Sequence, residues 1–466
     1  MSAAGASGSD GGAMQTIEEA EQYLAREGVE YVRFEQPDLH GLSRGKTVPV
    51  RHFRHYAEHG LNFLGGLLGL DLQGGVASGT GYLEERNFAD SLIFPDLATL
   101  SPVPWADRTA RVLADPMWYS GEPLRAAPRH LARRLVERLA RLGYVLRSGF
   151  EYEVYLFDAA TRAPAFEGIQ IFWTVRNNFD QDFVTWLLDG LLATGVDVIT
   201  SNVEYGPGQM EINFAPAVGL AAADRAFVFK NAMKELSQQR GYLASFMTKP
   251  LADQSASGGH YHHSLVHADS GRNAFFDVRQ KDGLTDLARR WIAGEMAHAP
   301  ALTALAAPTV NCAKRYKLYS FAPMNVTWGY EDRTAALRVK GARGPETHLE
   351  NRLPCAGSNP YLVMAAVLAA GLDGVERRLE PRAPTTGLAY ADKTAAPLPR
   401  TLDEALVAFE ADEALCECLG EEFVRLFLAV KRHECAKARG AVPEYARDDW
   451  PDVVTDWERQ HLLEYL

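Results

Sequence analysis

Four short segments constrain this chain more than any other feature, because each alternates bulky apolar residues with chemically active ones at a period of two. Gly149-Phe150-Glu151-Tyr152-Glu153-Val154-Tyr155-Leu156 puts Glu151 and Glu153 opposite Phe150, Tyr152 and Val154. In Glu204-Tyr205-Gly206-Pro207-Gly208-Gln209-Met210-Glu211-Ile212-Asn213-Phe214, a Pro-Gly turn leads into a strand whose Gln209, Glu211 and Asn213 oppose Met210, Ile212 and Phe214. His260-Tyr261-His262-His263-Ser264-Leu265 aligns His260, His262 and Ser264, and His348-Leu349-Glu350-Asn351-Arg352 aligns His348, Glu350 and Arg352. A β-strand sends successive side chains to opposite faces, so these segments are half-buried strands with one polar face each. The apolar sides are large enough to be core, which directs the polar sides into a shared cavity. Carboxylates gathered there with an imidazole repel one another unless cations sit between them. Oxygen-rich ligation of that kind suits Mg²⁺ or Mn²⁺ better than structural zinc, and such sites commonly hold polyphosphate. Lys314-Arg315, Arg333, Arg338 and Arg352 supply the matching positive charge, since guanidinium forks bind phosphate and carboxylate in pairs of hydrogen bonds. Arg333 and Arg338 are five apart, so both reach one pocket only if the backbone bends between them.

The chain's 466 residues exceed one domain of ~150 residues, enough for two or three. Its net charge of −12 argues against nucleic-acid binding through an overall field. Five cysteines, odd in number and without Cys-x-x-Cys spacing, predict buried thiols in a reducing cytoplasm rather than a disulfide framework. Met1 to Ala13 is Gly/Ser/Ala-rich, with no basic start or apolar run; it is expected to be a disordered tail rather than a signal peptide. The longest apolar stretch, Tyr361 to Leu372, is too short for a bilayer and predicts a buried helix, so no membrane anchor is expected.

Order is expected to begin at Thr16-Ile17-Glu18-Glu19, which has the form of a helix capping box. Short strands at Tyr31–Phe34 and Lys46–Val50 follow, then a glycine-rich stretch from Leu61 to Gly81 that should pack against something else, such as another subunit. A first domain is placed at 14–110 and a second at 111–466. Helical periodicity marks 127–142, 182–193, 221–240, 284–305 and 359–379, and 402–439 carries one long or two short helices. The pattern is α+β.

Together the motifs Gly-Phe-Glu-Tyr-Glu, Pro-Gly-Gln-Met-Glu-Ile, Gly258-Gly259-His260-Tyr261-His262-His263-Ser264, Asn311-Cys312-Ala313-Lys314-Arg315 and Asn359-Pro360-Tyr361-Leu362 resemble the glutamine synthetase family, in the family's order. The likeness runs from about residue 16 to Thr455-Asp456-Trp457-Glu458. It implies a β-grasp N-terminal domain, a catalytic domain around a curved antiparallel sheet flanked by helices, and a homo-oligomeric double ring, commonly a dodecamer, with active sites shared between subunits. It implies further that Glu153, Glu204 and Glu211 hold one Mg²⁺ or Mn²⁺ and that Glu151, His260 and Glu350 hold another. Ser264, His262, Arg338 and Phe214 would lie near ATP, the co-substrate. Arg315, Arg333 and Arg352 would handle the glutamate carboxylates and the transferred phosphoryl group, and the backbone around Ala256 would grip glutamate. The implied chemistry is ATP-dependent formation of a glutamyl acyl phosphate followed by attack of a nitrogen nucleophile.

Two departures bear on that nucleophile. The family's ammonia-binding Phe-Asp-Gly-Ser is here Phe63-Leu64-Gly65-Gly66, and the flap glutamate six residues after the Lys-Arg motif is here Phe321. Leucine and phenylalanine offer ammonium no acceptor, whereas an amine with an apolar body gains ~25 cal/mol per Å² buried against them. The sequence therefore predicts a ligase joining glutamate to an organic amine, with Leu64 and Phe321 lining the amine pocket. It is similar in pattern to γ-glutamylanilide, γ-glutamylisopropylamide and γ-glutamylmethylamide synthetases. Loss of both carboxylates favours a weakly basic aromatic amine that arrives neutral, unless His40, Glu84 or Glu85 takes over as base. Ser255-Ala256-Ser257 stands where the family has Asn-Gly-Ser. The alternatives are an ordinary glutamine synthetase using ammonia, a polyamine or ethanolamine ligase, a non-catalytic structural relative, and a guanidino kinase. The last two are disfavoured by the presence of all six metal-ligand candidates, and by the N-terminal domain together with Asn359-Pro360-Tyr361.

Overall fold

A computed structural model describes residues 14–168, 171–341 and 344–466; the N-terminal tail lies outside the described residues. The chain divides into two compact units. The first takes in the residues up to Gln36, Arg44–Gly65 and Asp90–Pro123, so it runs past residue 110 and omits two inner segments. It opens with the helix Ile17–Arg26, where Thr16 and Glu19 form the expected reciprocal cap. Its sheet is mixed: Thr109–Trp118 runs parallel to Tyr31–Pro37 and antiparallel to Asp90–Pro95. Leu61–Leu64, which carries Leu64, pairs with Asp90–Pro95. Val32, Phe34, Ile93 and Val112 are fully buried on this sheet.

The second unit is built on a nine-stranded sheet. Its central strand, Tyr144–Asp158, lies antiparallel between Gly259–His267 and Gln209–Phe214. Beyond Gly259–His267 come His348–Asn351, Leu337–Lys340 and Trp328–Tyr330, and beyond Gln209–Phe214 comes Val198–Val203. Pairing is antiparallel except at the edge, where Trp328–Tyr330 and Leu337–Lys340 are parallel. The apolar face of the sheet packs against the helix Ala221–Gln238, with the rings of Tyr152 and Phe229 stacked at 5.7 Å. Burial of Phe150, Tyr152, Val154, Met210, Ile212 and Tyr261 on that face fixes strand register, because a one-residue slip would put them all on the polar side.

The segment 66–89, most of the glycine-rich stretch, belongs to this second unit. Leu72 joins the cluster of Tyr155, Phe157 and Met247, and Tyr82 donates to Glu422 at 3.0 Å, so the segment packs on its own chain. His40 is likewise committed, with Nε2 2.6 Å from Glu434. All five cysteines are free thiols.

Two long helices, Asp286–Ala306 and Pro360–Glu376, pack closely behind the sheet. A Cβ on Gly371 would lie 2.0 Å from Trp291, and one on Gly294 would lie 2.1 Å from the Ala370 carbonyl, so the contact needs hydrogen at both positions. The region 402–439 forms three helices, Leu402–Ala411, Glu413–Leu419 and Glu421–Ala441, rather than one or two. The breaks fall at Asp412, which caps Leu415 N–H, and at Gly420, whose φ of 97° suits glycine alone. Among the described residues no helix is long and apolar enough to cross a membrane.

Asp412 has a second task. His298, 4% exposed, bridges Asp412 (2.7 Å) and Asp373 (2.9 Å), tying three helices together. Burial opposes the charge of His298, but the two carboxylates outweigh it and hold its pKa above the ordinary value. A raised folded-state pKa stabilises the fold fully below ~6.5, and the contribution is lost as pH rises through the folded value. His298→Gln is therefore expected to lower stability by about 3 kcal/mol at pH 6. In thermal melts the gap from wild type should narrow as pH rises; a gap that widens would contradict the charged bridge.

Candidate active site

Register places the polar side chains in three rows across the sheet. Asn213, Glu151 and His260 are direct cross-strand neighbours, as are Glu211 and Glu153, and as are Arg338, Glu350 and His262. Directly paired residues share a face, so the alternation visible in sequence converges on one surface. His260 Nδ1 lies 3.1 Å from Glu151 and 3.5 Å from Glu350, and His262 Nε2 is 3.3 Å from Glu151. Glu204 is carried on the turn between Val198–Val203 and Gln209–Phe214, where Asn202 donates to it at 3.2 Å.

Positive charge enters from outside the acidic rows. Arg315 Nη2 donates to His260 Nε2 at 2.8 Å, and Arg338 donates to Glu350 at 3.1 Å. Arg352 is hydrogen-bonded to Glu350 through one guanidinium nitrogen and to the Phe321 carbonyl at 2.9 Å through another. Lys314, adjacent to Arg315, points elsewhere: it pairs with Glu458 at 2.9 Å and lies over the Trp450 ring. Arg333 is exposed in the turn before Leu337–Lys340 and is not drawn into the cluster. That turn, rather than a bent strand, separates it from Arg338.

The charge balance is uneven. Burial, with Glu153 beside it, pushes Glu204 up to about 8, and burial plus Glu151, Glu153 and Glu204 push Glu211 up to about 9. Glu153 is also raised, chiefly by burial. Glu350 is equally desolvated, yet Arg352 and the neighbouring histidines hold it down to about 2. Burial and Arg352 push His260 down to about 4, leaving a neutral imidazole. His260 and His262 hold Glu151 well below the usual carboxylate range despite its burial. One ligand atom each of Glu151, His262 and Glu350 lies within 4.8 Å of the others, a spacing that fits a divalent cation, while the crowded Glu153, Glu204 and Glu211 resist ionisation without positive charge beside them.

A cavity of about 1270 Å³ adjoins this face, lined by Glu151, Phe214, His262, Ser264 and His348 among others. At the opposite edge the loop carrying Ala256 meets the carboxylates: Gly258 N–H donates to Glu153 at 3.1 Å. Gln209, visible in sequence only as one more polar alternate, is buried and donates to Glu153 (3.0 Å), Ser257 (3.1 Å) and the Ala256 carbonyl (3.4 Å). Tyr205, a turn residue with no periodic signal, stacks its ring on Phe321 at 6.2 Å and 16°. Phe321 and Tyr319 both have left-handed backbones, φ 55° and 59°, a strained pair at the rim of the site.

The raised carboxylates carry a testable sign. A group whose folded pKa lies above its unfolded ~4.3 destabilises the cation-free fold progressively as pH rises toward the folded value. In chelator-treated protein, Glu211→Gln should therefore raise the melting temperature more at pH 9 than at pH 6. In Mg²⁺ it should lose part of the metal-dependent stabilisation. A pH-independent difference would refute the repulsion.

Comparison with known proteins gives the family. Residues 125–449 match the family described as glutamine synthetase, catalytic domain. Lengsin of Homo sapiens is 36% identical over 424 residues, covering 89% of this chain and 81% of lengsin. The glutamate–isopropylamine ligase of a Pseudomonas species is 32% identical over 448 residues, covering 93% of this chain and 97% of the ligase. A solved structure described as the GmaS/ADP complex superposes with a TM-score of 0.82 at 29% identity, over 95% of this chain and 98% of the other. With the half-curled mixed sheet, the cross-strand carboxylate rows and a match over most of its length, the chain belongs to the glutamine synthetase family of ATP-dependent ligases.

Proposed function

We propose that this protein joins the side-chain carboxylate of glutamate to an organic amine with an apolar body. ATP phosphorylates the carboxylate, the neutral amine attacks the acyl phosphate, and inorganic phosphate leaves with its bonding electrons while the amine nitrogen loses a proton. Mg²⁺ or Mn²⁺, held by Glu153, Glu204 and Glu211 and by Glu151, His260 and Glu350, would neutralise charge on the transferring phosphoryl group. The cavity beside Ser264, His262 and Phe214 offers room for the nucleotide, with Arg338 alongside at Glu350. Arg315 and Arg352, both held at the acidic face, would orient glutamate and the phosphoryl oxygens, with Arg333, exposed in its turn, as a third candidate. The backbone at Ala256 would position glutamate next to Glu153 through Gln209.

The observation that carries the amine reading is the Phe321 ring. By its spacing from the Lys-Arg motif it stands where the family has a flap glutamate; it is 45% exposed, and its ring is near-parallel to that of Tyr205, itself 38% exposed, with centroids 6.2 Å apart. Arg352 anchors the Phe321 carbonyl, so the same loop touches the phosphoryl-handling side. An apolar amine that hides about 80 Å² against these rings gains ~2 kcal/mol, about 30-fold in affinity; ammonium gains nothing. The glutamate–amine ligase among the relatives supports the same class.

Steady-state kinetics with ATP, Mg²⁺, glutamate and a panel of ammonium, methylamine, isopropylamine, ethanolamine and aniline should give the lowest kcat/KM for ammonium. Phe321→Glu should shift preference toward ammonium or small charged amines, and Tyr205→Ala should cost apolar amines about tenfold, mainly in KM. Ammonium as the best wild-type substrate would refute the amine assignment; an unchanged amine profile in both variants would refute the aromatic pocket.

A further inference from the structure

When both rings are neutral, a single carbonyl sets the direction of the hydrogen bond between His262 and His348. His348 Nδ1 lies 2.8 Å from the Glu346 carbonyl oxygen, which can only accept, so Nδ1 carries the hydrogen. In the neutral ring Nε2 is then an acceptor, and it faces His262 Nδ1 at 3.3 Å. His262 then donates from Nδ1, and in its neutral form the lone pair lies on Nε2. That nitrogen is buried, has no hydrogen-bond partner, and stands 3.3 Å from Glu151 Oε2. With no proton on Nε2, two electron-rich atoms at that distance repel unless a cation lies between them, and one ligand atom each of Glu151, His262 and Glu350 falls within 4.8 Å of the others. The spacing is close to the ~3.0 Å between adjacent ligands of an octahedral cation with bonds of about 2.1 Å.

We propose that His348 is a positioning residue that fixes His262 as a cation-ligating imidazole, adding its Nε2 to Glu151 and Glu350. The proposal rests on the reading of this acidic face as a divalent-cation site. It gives His262 a role distinct from contact with the nucleotide, and gives His348 a role that its place on the polar face alone does not reveal.

The test is Mn²⁺ titration of the nucleotide-free, full-length protein, followed by the electron paramagnetic resonance signal of free Mn²⁺. His262→Ala and His348→Phe are each expected to weaken one class of sites by about 10- to 100-fold. His348→Gln, whose side-chain oxygen still accepts from His262 Nδ1, should stay near wild type. Melting temperatures in chelator should match wild type for all three. Unchanged Mn²⁺ affinity in His262→Ala, or equal losses in His348→Gln and His348→Phe, would overturn the proposal. A wild-type protein that binds no Mn²⁺ would overturn the underlying cation reading as well.

Discussion

Mutual repulsion among buried carboxylates is the constraint around which the second unit is organised. Glu151, Glu153, Glu204, Glu211 and Glu350 are drawn together although each resists burial in charged form. What holds them is the opposite side of the same strands. Tyr152, Val154, Met210, Ile212 and Tyr261 are fully sequestered, and releasing the acids would require exposing that surface or slipping the register. Stability is thus invested in the apolar face, while the charged face is kept in a state that a cation relieves. This inequality between two sides of one sheet turns a fold into a site.

The two halves of the acidic face are not equivalent. Around Glu350, Arg338 and Arg352 already supply positive charge, and the carboxylate stays ionised. Around Glu204 and Glu211, among the described residues, the side-chain donors are the amides of Asn202 and Asn213, and both carboxylates stay raised. Of the two proposed cation positions, one is thus self-balanced and the other dependent on added charge.

Much of this was legible in the sequence because strand alternation is a strictly local signal. Glu151, Glu153, Glu211, His260, His262 and Glu350 could be assigned to one face from spacing alone, and pairing register then aligned them. The helix capped by Thr16 was equally local. What depended on distant partners was not legible. Lys314 and Arg315 are neighbours, yet one is claimed by Glu458 and Trp450 and the other by His260. Nothing local marked Asp412 as both a helix cap and a His298 acceptor, and so a division of the last helical region into three, rather than one or two, was not foreseen. Tyr205 sits in a turn, where periodicity is silent, and its relation to Phe321 exists only in three dimensions.

Gln209 links regions that are otherwise separate. Its carbonyl accepts from Gly206 at 2.9 Å in the turn that carries Glu204, while its amide reaches Glu153, Ser257 and the Ala256 carbonyl. One neutral side chain thus spans the acidic cluster, the hairpin beside it and the loop assigned to the amino-acid substrate. Any coupling between Glu153 and the loop at Ala256 has a direct route through this side chain. If the proposed ion and amino acid bind at its two ends, their affinities would be reciprocal, joined through a carboxamide that takes part in neither bond-making nor bond-breaking.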